Sequence, residues 1–338
     1  GLALVAGPLV ESASAEDQSH RNHIHEPIMF KDWTEIRHLP DGNDRIVREQ
    51  ARQGEYFRRW EAIHQIVGDQ HTSRLSRELL SRRGLGTALF DEGYSRDKAH
   101  KAFDGVDTLK VLIVRIGFEE NRSPNLTTVD PSGDFNYVPP DNMDDLLIDP
   151  PPHNRDFYQS HLAGLSEYYQ YQSGGKLFIE GTVLPEEQEG SYKLTDIADY
   201  GPGTDGFWTL ESLERLVRDM INTGDAGTAG TEFDFSNFDD DNPLTYIIFV
   251  HAGSDWQSDI NGDSPNDIPT FFVTLGESEA LSSGGALSEC SIIPETTDQD
   301  GYPGSIAAAF YHEFGHALGL PDVYNTTTGF PSVGIWDL

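Results

Sequence analysis

The chain has 338 residues, 37% hydrophobic and 11% aromatic, enough for two folding units with apolar cores and too aromatic for a disordered polymer. With 57 acidic against 23 basic residues the formal charge is -34, which makes nucleic acid and anionic membrane surfaces poor partners. The imbalance is uneven: residues 16–100 carry 15 acidic and 14 basic side chains, residues 101–338 carry 41 and 9, and no Lys or Arg follows Arg218. Carboxylates beyond that point need solvent salt, distant arginines or bound cations to relieve their repulsion, so calcium or a saline habitat is expected.

In chain order, Gly1 opens a run of almost wholly apolar or small residues that ends before Ala13-Ser14-Ala15. This is the pattern of a hydrophobic leader region and its cleavage site, so residues 1–15 are expected to be the remnant of a signal peptide and the protein to be secreted. The run is too short to cross a bilayer and no later stretch is longer, so no integral membrane segment is expected. Between 44 and 83, Ile46, Phe57, Trp60, Ile63, Ile66, Val67, Leu75 and Leu79 recur at mostly three-, four- or seven-residue intervals among Arg and Glu. That spacing predicts two amphipathic helices broken near Gly68 and Asp69. The glycines and charges of 83–101 read as a linker open to proteolysis.

The β-branched run at 109–118 predicts a mostly buried strand and the start of a second folding unit. Residues 130–156, rich in Asp, Pro and Asn, read as a surface excursion. Ser166-Glu167-Tyr168-Tyr169 is expected to open a short helix that leads through Gly174 and Gly175 into a strand at 176–183. A helix is predicted at 207–222, with Leu213, Leu216, Val217 and Met220 on its apolar side, and then strands at 244–250 and 270–275. Cys290, the single cysteine, excludes an internal disulfide and is expected to behave as a buried small hydrophobe. Asp259, Asn261 and Asp263 alternate about Gly262, with Asp255 and Asp267 on either side. Oxygen side chains around a glycine are what a flexible calcium loop uses, although the glutamate that closes a full EF-hand loop is absent.

His312-Glu313-Phe314-Gly315-His316 forms H-E-x-x-H within a predicted helix at 306–318, with Ser305 placed to cap its first turn. Four residues make a little over one helical turn, so both imidazoles point the same way and can share one zinc ion. Glu313 lies about 100° around the axis. From there it can take a proton from water and return it to a leaving amine. The pattern continues through Gly319 to Asp322. A glycine free to adopt positive φ ends the helix and turns the chain back, which makes Asp322 the best-placed third ligand and leaves a fourth position for water.

The extended motif H-E-x-x-H-x-x-G-x-x-D resembles that of the metzincins, in which the third ligand is usually His and a methionine turn comes after it. Together with SEYYQYQSGGKLFIEGTV at 166–183, IIFVHAG at 247–253, SIIPE at 291–295 and the strand at 109–118, it makes residues 106–338 similar to the immune inhibitor A-type secreted metalloproteases. That resemblance implies an α+β catalytic domain of zincin, metzincin-like build, with a twisted sheet and an active-site helix, acting on protein or peptide substrates. It also implies a mainly helical inhibitory propeptide over residues 16–105, able to dock electrostatically on the acidic domain. His20, His23, His25 and Asp41 are its candidate blocking residues. Trp336-Asp337-Leu338 in that family commonly precedes the turn methionine, so the catalytic domain is expected to continue beyond this sequence. The contrasting expectation is a calcium-dependent surface or adhesive protein that retains the scaffold without turnover.

Overall fold

A computed structural model describes residues 44–67, 73–82, 106–139, 148–202, 208–300 and 304–322. The expected leader, the four candidate blocking residues, the linker and the Trp336-Asp337-Leu338 end fall outside these residues. The chain divides into two compact units, Gly1–Ala51 and Arg52–Leu338. Of the first, only the opening turns of helix α1 (Asp44–Val67) are described; the rest of α1 and every other described element belong to the second.

The second unit is a mixed α and β structure, compatible with the expected α+β class. Its centre is a six-stranded sheet of β1 (Asp107–Glu120), β2 (Leu177–Leu184), β3 (Tyr192–Asp196), β4 (Thr245–Ser254), β5 (Phe271–Ala280) and β6 (Ala286–Thr296). The order is β2-β1-β4-β6-β5, with β5 antiparallel at one edge and the other pairings parallel. Every residue of β4 is buried, as a strand covered on both faces requires. Alternation sends Tyr246 to the ring of Phe314 on one face and Phe249 to Phe235 on the other.

Helices α2 (Arg74–Arg82), α3 (Arg155–Gln172), α4 (Leu210–Thr228) and α5 (Ile306–Ala317) complete the described elements. The two predicted N-terminal helices are present; the break expected near Gly68 and Asp69 falls outside the described residues. The helix expected to open at Ser166 starts eleven residues earlier, because Asn154 caps α3 by accepting the Phe157 amide. The helix expected at 207–222 begins at Leu210 under a Thr209–Ser212 capping box and runs to Thr228. Strands β3 and β6 have no counterpart among the predicted elements. The excursion at 130–156 is not wholly superficial: Phe135, Asp149 and His153 are buried. Cys290 is buried, as expected. Among the described residues no helix is long and apolar enough to cross a membrane.

One buried cation organises an edge of this sheet. The first half of β1 pairs with β2 and its second half with β3, so the chain between them must turn away beside residue 115. Arg115 is fully buried there, and its guanidinium donates to the carbonyls of Pro185, Glu187 and Gln188 at 2.5–2.9 Å. Replacing it by leucine strips three carbonyls of a charged donor. Arg115→Leu is expected to lower stability by about 3 kcal/mol, read as a shift in the urea midpoint; an unchanged midpoint refutes this role.

Candidate metal centre

Helix α5 is held at both ends. Ser305 accepts the Ala307 amide, and the Asp149 carboxylate accepts the Ile306 amide at 2.8 Å, so two otherwise orphaned donors of the first turn are satisfied. At the far end Gly319 has φ 83°, its amide donates to the His316 carbonyl, and the Leu320 amide reaches back to Gly315. This pair of bonds is the Schellman arrangement, and it reverses the chain as expected. Packing fixes the helix laterally: the Tyr169 hydroxyl of α3 donates to the Tyr311 carbonyl at 2.6 Å, and Phe314 packs between Tyr169 and Tyr246.

These constraints bring three predicted ligands together. His312 Nε2 and His316 Nε2 lie 3.1 Å apart, and Asp322 Oδ1 is 3.2 Å from the first and 3.4 Å from the second. Zinc bonds of 2.0–2.1 Å at tetrahedral angles put ligand atoms about 3.3 Å apart, which these three separations match. Two imidazole nitrogens and a carboxylate oxygen at these separations form a donor set suited to a divalent cation. His316 Nδ1 meets the Leu320 carbonyl at 2.9 Å, which orients the ring with Nε2 inward. Burial alone would raise the Asp322 carboxyl, but hydrogen bonds from His312, His316 and His64 outweigh it and hold the group well below the usual carboxylate range.

Glu313 is fully buried, and apart from the neighbouring Phe272 backbone no hydrogen-bonding group reaches its carboxylate oxygens. Burial pushes its carboxyl up to about 8, against the opposing charge of His316. A buried carboxylate so sparsely hydrogen-bonded is costly to keep ionised.

The fourth position differs from the expectation of open solvent. His64, on α1, joins the cluster: His64, His312, His316 and Asp322 each offer a ligand atom within 4.8 Å of the others, a group that can hold a metal ion. Its Nδ1 is 2.8 Å from Asp322 Oδ2, and its ring lies parallel to that of His312 at 5.8 Å and edge-on to His316 at 5.3 Å. Trp60, one turn earlier, lies 5.0 Å from His312. Sequence reasoning missed His64. The available signal was a lone histidine in the apolar stripe of Trp60, Ile63 and Val67.

The five candidate calcium residues do not converge. Asp259 and Asp263 approach Asp300, a residue outside the predicted set, in a second group that can hold a cation. Asn261 instead donates to Asp300, and Asp259 accepts the amides of Asp263 and Ser264. Asp255 and Asp267 serve as buried acceptors. Asp255 takes the hydroxyls of Ser258 and Thr270, and Asp267 takes both threonine hydroxyls and one amide of Thr127-Thr128. No protein-family model matches the chain, and no curated protein matches it.

Burial raises the Asp267 carboxyl to about 7 despite those hydrogen bonds. The folded state therefore binds a proton that the unfolded chain, with its carboxyl near 3.8, releases earlier. Its contribution to stability is fully present below pH about 4 and is lost as pH rises through about 7, with a slope of at most about 1.4 kcal/mol per pH unit. Asp267→Asn is expected to flatten that limb of the stability–pH curve in urea titrations between pH 4 and 7. An unaltered slope in the variant refutes the assignment.

Proposed function

We propose that this chain is a secreted zinc-dependent endopeptidase of the immune inhibitor A type, hydrolysing protein or peptide substrates. The observation that carries the reading is the convergence of His312 Nε2, His316 Nε2 and Asp322 Oδ1 at 3.1–3.4 Å, with the buried carboxylate of Glu313 close enough to feel the charges of His316 and Asp322. His312, His316 and Asp322 would hold zinc, which when bound supplies Lewis acidity toward a scissile carbonyl and toward water. Glu313 takes the proton from the attacking water at a carboxylate oxygen and passes it to the departing amine nitrogen. Burial holds the Glu313 carboxyl up at about 8 in the enclosed conformation, so its service as a base requires the site to open to water first.

Support for an extended substrate comes from β5. It ends the sheet order, pairs with β6 on one side, and carries Phe272 within 6.3 Å of the His316 ring. The outer edge of such a strand can add a peptide by main-chain hydrogen bonding. A calcium-dependent adhesive role would draw on Asp259, Asp263 and Asp300, but it leaves the conjunction of Glu313 with the histidine pair without a purpose.

Purified chain is expected to hold one zinc per molecule, and His312→Ala to hold none. Glu313→Gln is expected to retain zinc while losing casein hydrolysis by about a thousandfold, an effect in the range of removing a general base together with its electrostatics. Because Glu313 is enclosed in the described conformation, hydrolysis is measured after brief tryptic nicking and quenching of the trypsin. Zinc-free wild-type protein, or undiminished hydrolysis by Glu313→Gln, overturns the reading.

A further inference from the structure

Taking His312, His316 and Asp322 as a zinc site, as proposed above, the geometry points to His64 as a fourth and displaceable donor to that site, through which the chain keeps its own centre closed. Four protein ligands characterise closed structural zinc sites, whereas hydrolytic sites keep three and leave one position for water. Here the position left by His312, His316 and Asp322 faces an imidazole. His64 Nδ1 stands 2.8 Å from Asp322 Oδ2, and its side chain is 8% exposed. A plain core histidine satisfied by one aspartate is the simpler account of such a contact. It does not explain why three imidazoles crowd one carboxylate, since without a cation they compete for the same two oxygens.

The placement of His64 does not depend on His64 itself. Arg59, on the same helix, donates to the Trp256 carbonyl at 2.8 Å, stacks over the Trp256 ring at 4.7 Å and pairs with Asp259 at 3.4 Å. At α2, the buried Glu289 of β6 accepts the amides of Arg74 and Leu75, and the Ser73 hydroxyl donates to the Ala317 carbonyl at the end of α5. The N-terminal helices are thus seated by charge and cap interactions on both sides of the centre, and Trp60 lies against His312 over the opening. Neither helix contributes a strand to the sheet, so withdrawing them removes a donor and a cover while leaving every strand pairing intact.

The test uses the full chain, with cobalt(II) in place of zinc for spectroscopy and acetohydroxamate as the probe of an open metal position. The wild-type visible spectrum is expected to stay unchanged on adding acetohydroxamate. His64→Ala is expected to shift its spectrum with the probe, and to release zinc to a competing chelator roughly tenfold or more readily than wild type. His64→Phe keeps an aromatic ring against Trp60 and removes both ring nitrogens. It is expected to release zinc with the same ease while keeping the wild-type thermal midpoint when both proteins are metal-free, which separates loss of a ligand from loss of α1. The role of His64 is overturned if acetohydroxamate binds wild type as well as His64→Ala, or if both variants hold zinc as tightly as wild type while His312→Ala has lost it. Wild type that takes up no metal overturns the zinc-site reading first, and the role of His64 with it.

Discussion

The centre depends on where a single twelve-residue helix is clamped. Helix α5 carries two imidazoles one turn apart, but a turn of helix only brings them to the same side; it does not supply a third donor. The third donor arrives because Gly319 takes a left-handed conformation that lets the chain fold back within three residues, placing Asp322 against both rings. Asp149 at the opposite end and Tyr169 at the side remove the remaining freedom of translation and roll. A residue with a Cβ at position 319 would be strained there, and the return of Asp322 would be lost with it.

The second organising feature is the use made of surplus negative charge. Many carboxylates beyond residue 106 are not waiting for ions: they accept backbone amides inside the fold. Glu295 is the clearest case, receiving the amides of Asn136 and Gly253 and the His153 ring, so that one side chain of β6 ties the excursion after β1 to the end of β4. Asp196, Asp234 and Asp267 do the same at other turns. Two acidic side chains also meet arginines of the near-neutral N-terminal segment: the buried Asp259 pairs with Arg59, and the half-buried Asp240 with Arg74.

Local signals are legible where they are dense. The strand at 109–118, the cap at Ser305 and the reversal at Gly319 each rest on periodicity or on a residue with one conformational specialty. The start of α3 escapes prediction because its first apolar residues, Phe157 and Tyr158, follow directly on a Pro- and Asp-rich stretch and only the Asn154 cap marks the beginning. Strand β6 escapes it because Ser288, Glu289, Ser291 and Glu295 break the apolar run; the buried polar members among them are satisfied by partners far along the chain, such as the α2 amides on Glu289 and the Tyr246 hydroxyl on Ser291. Of the five candidate calcium residues, Asp259 and Asp263 fall in a group with Asp300 that can hold a cation, while two others are used differently. Asp255 and Asp267 look like ion ligands in sequence, yet their acceptors are filled by hydroxyls and amides from residues 127, 128, 258 and 270.

By itself the sequence determined the elements and the chemistry they carry: a histidine pair one turn apart with a glutamate between them, and a glycine that turns an aspartate back toward them. All of these lie within eleven residues, where helical geometry leaves little choice. Only the tertiary structure decided that Glu313 is enclosed and that His64 rather than solvent faces the other three donors. His64 and His312 are 248 positions apart, and nothing in the periodicity of either helix encodes which side of one meets which side of the other. That choice is made by Arg59, Glu289 and Ser73 finding a ring, two amides and a carbonyl across the fold, long-range contacts whose partners exist as neighbours only once the sheet has formed.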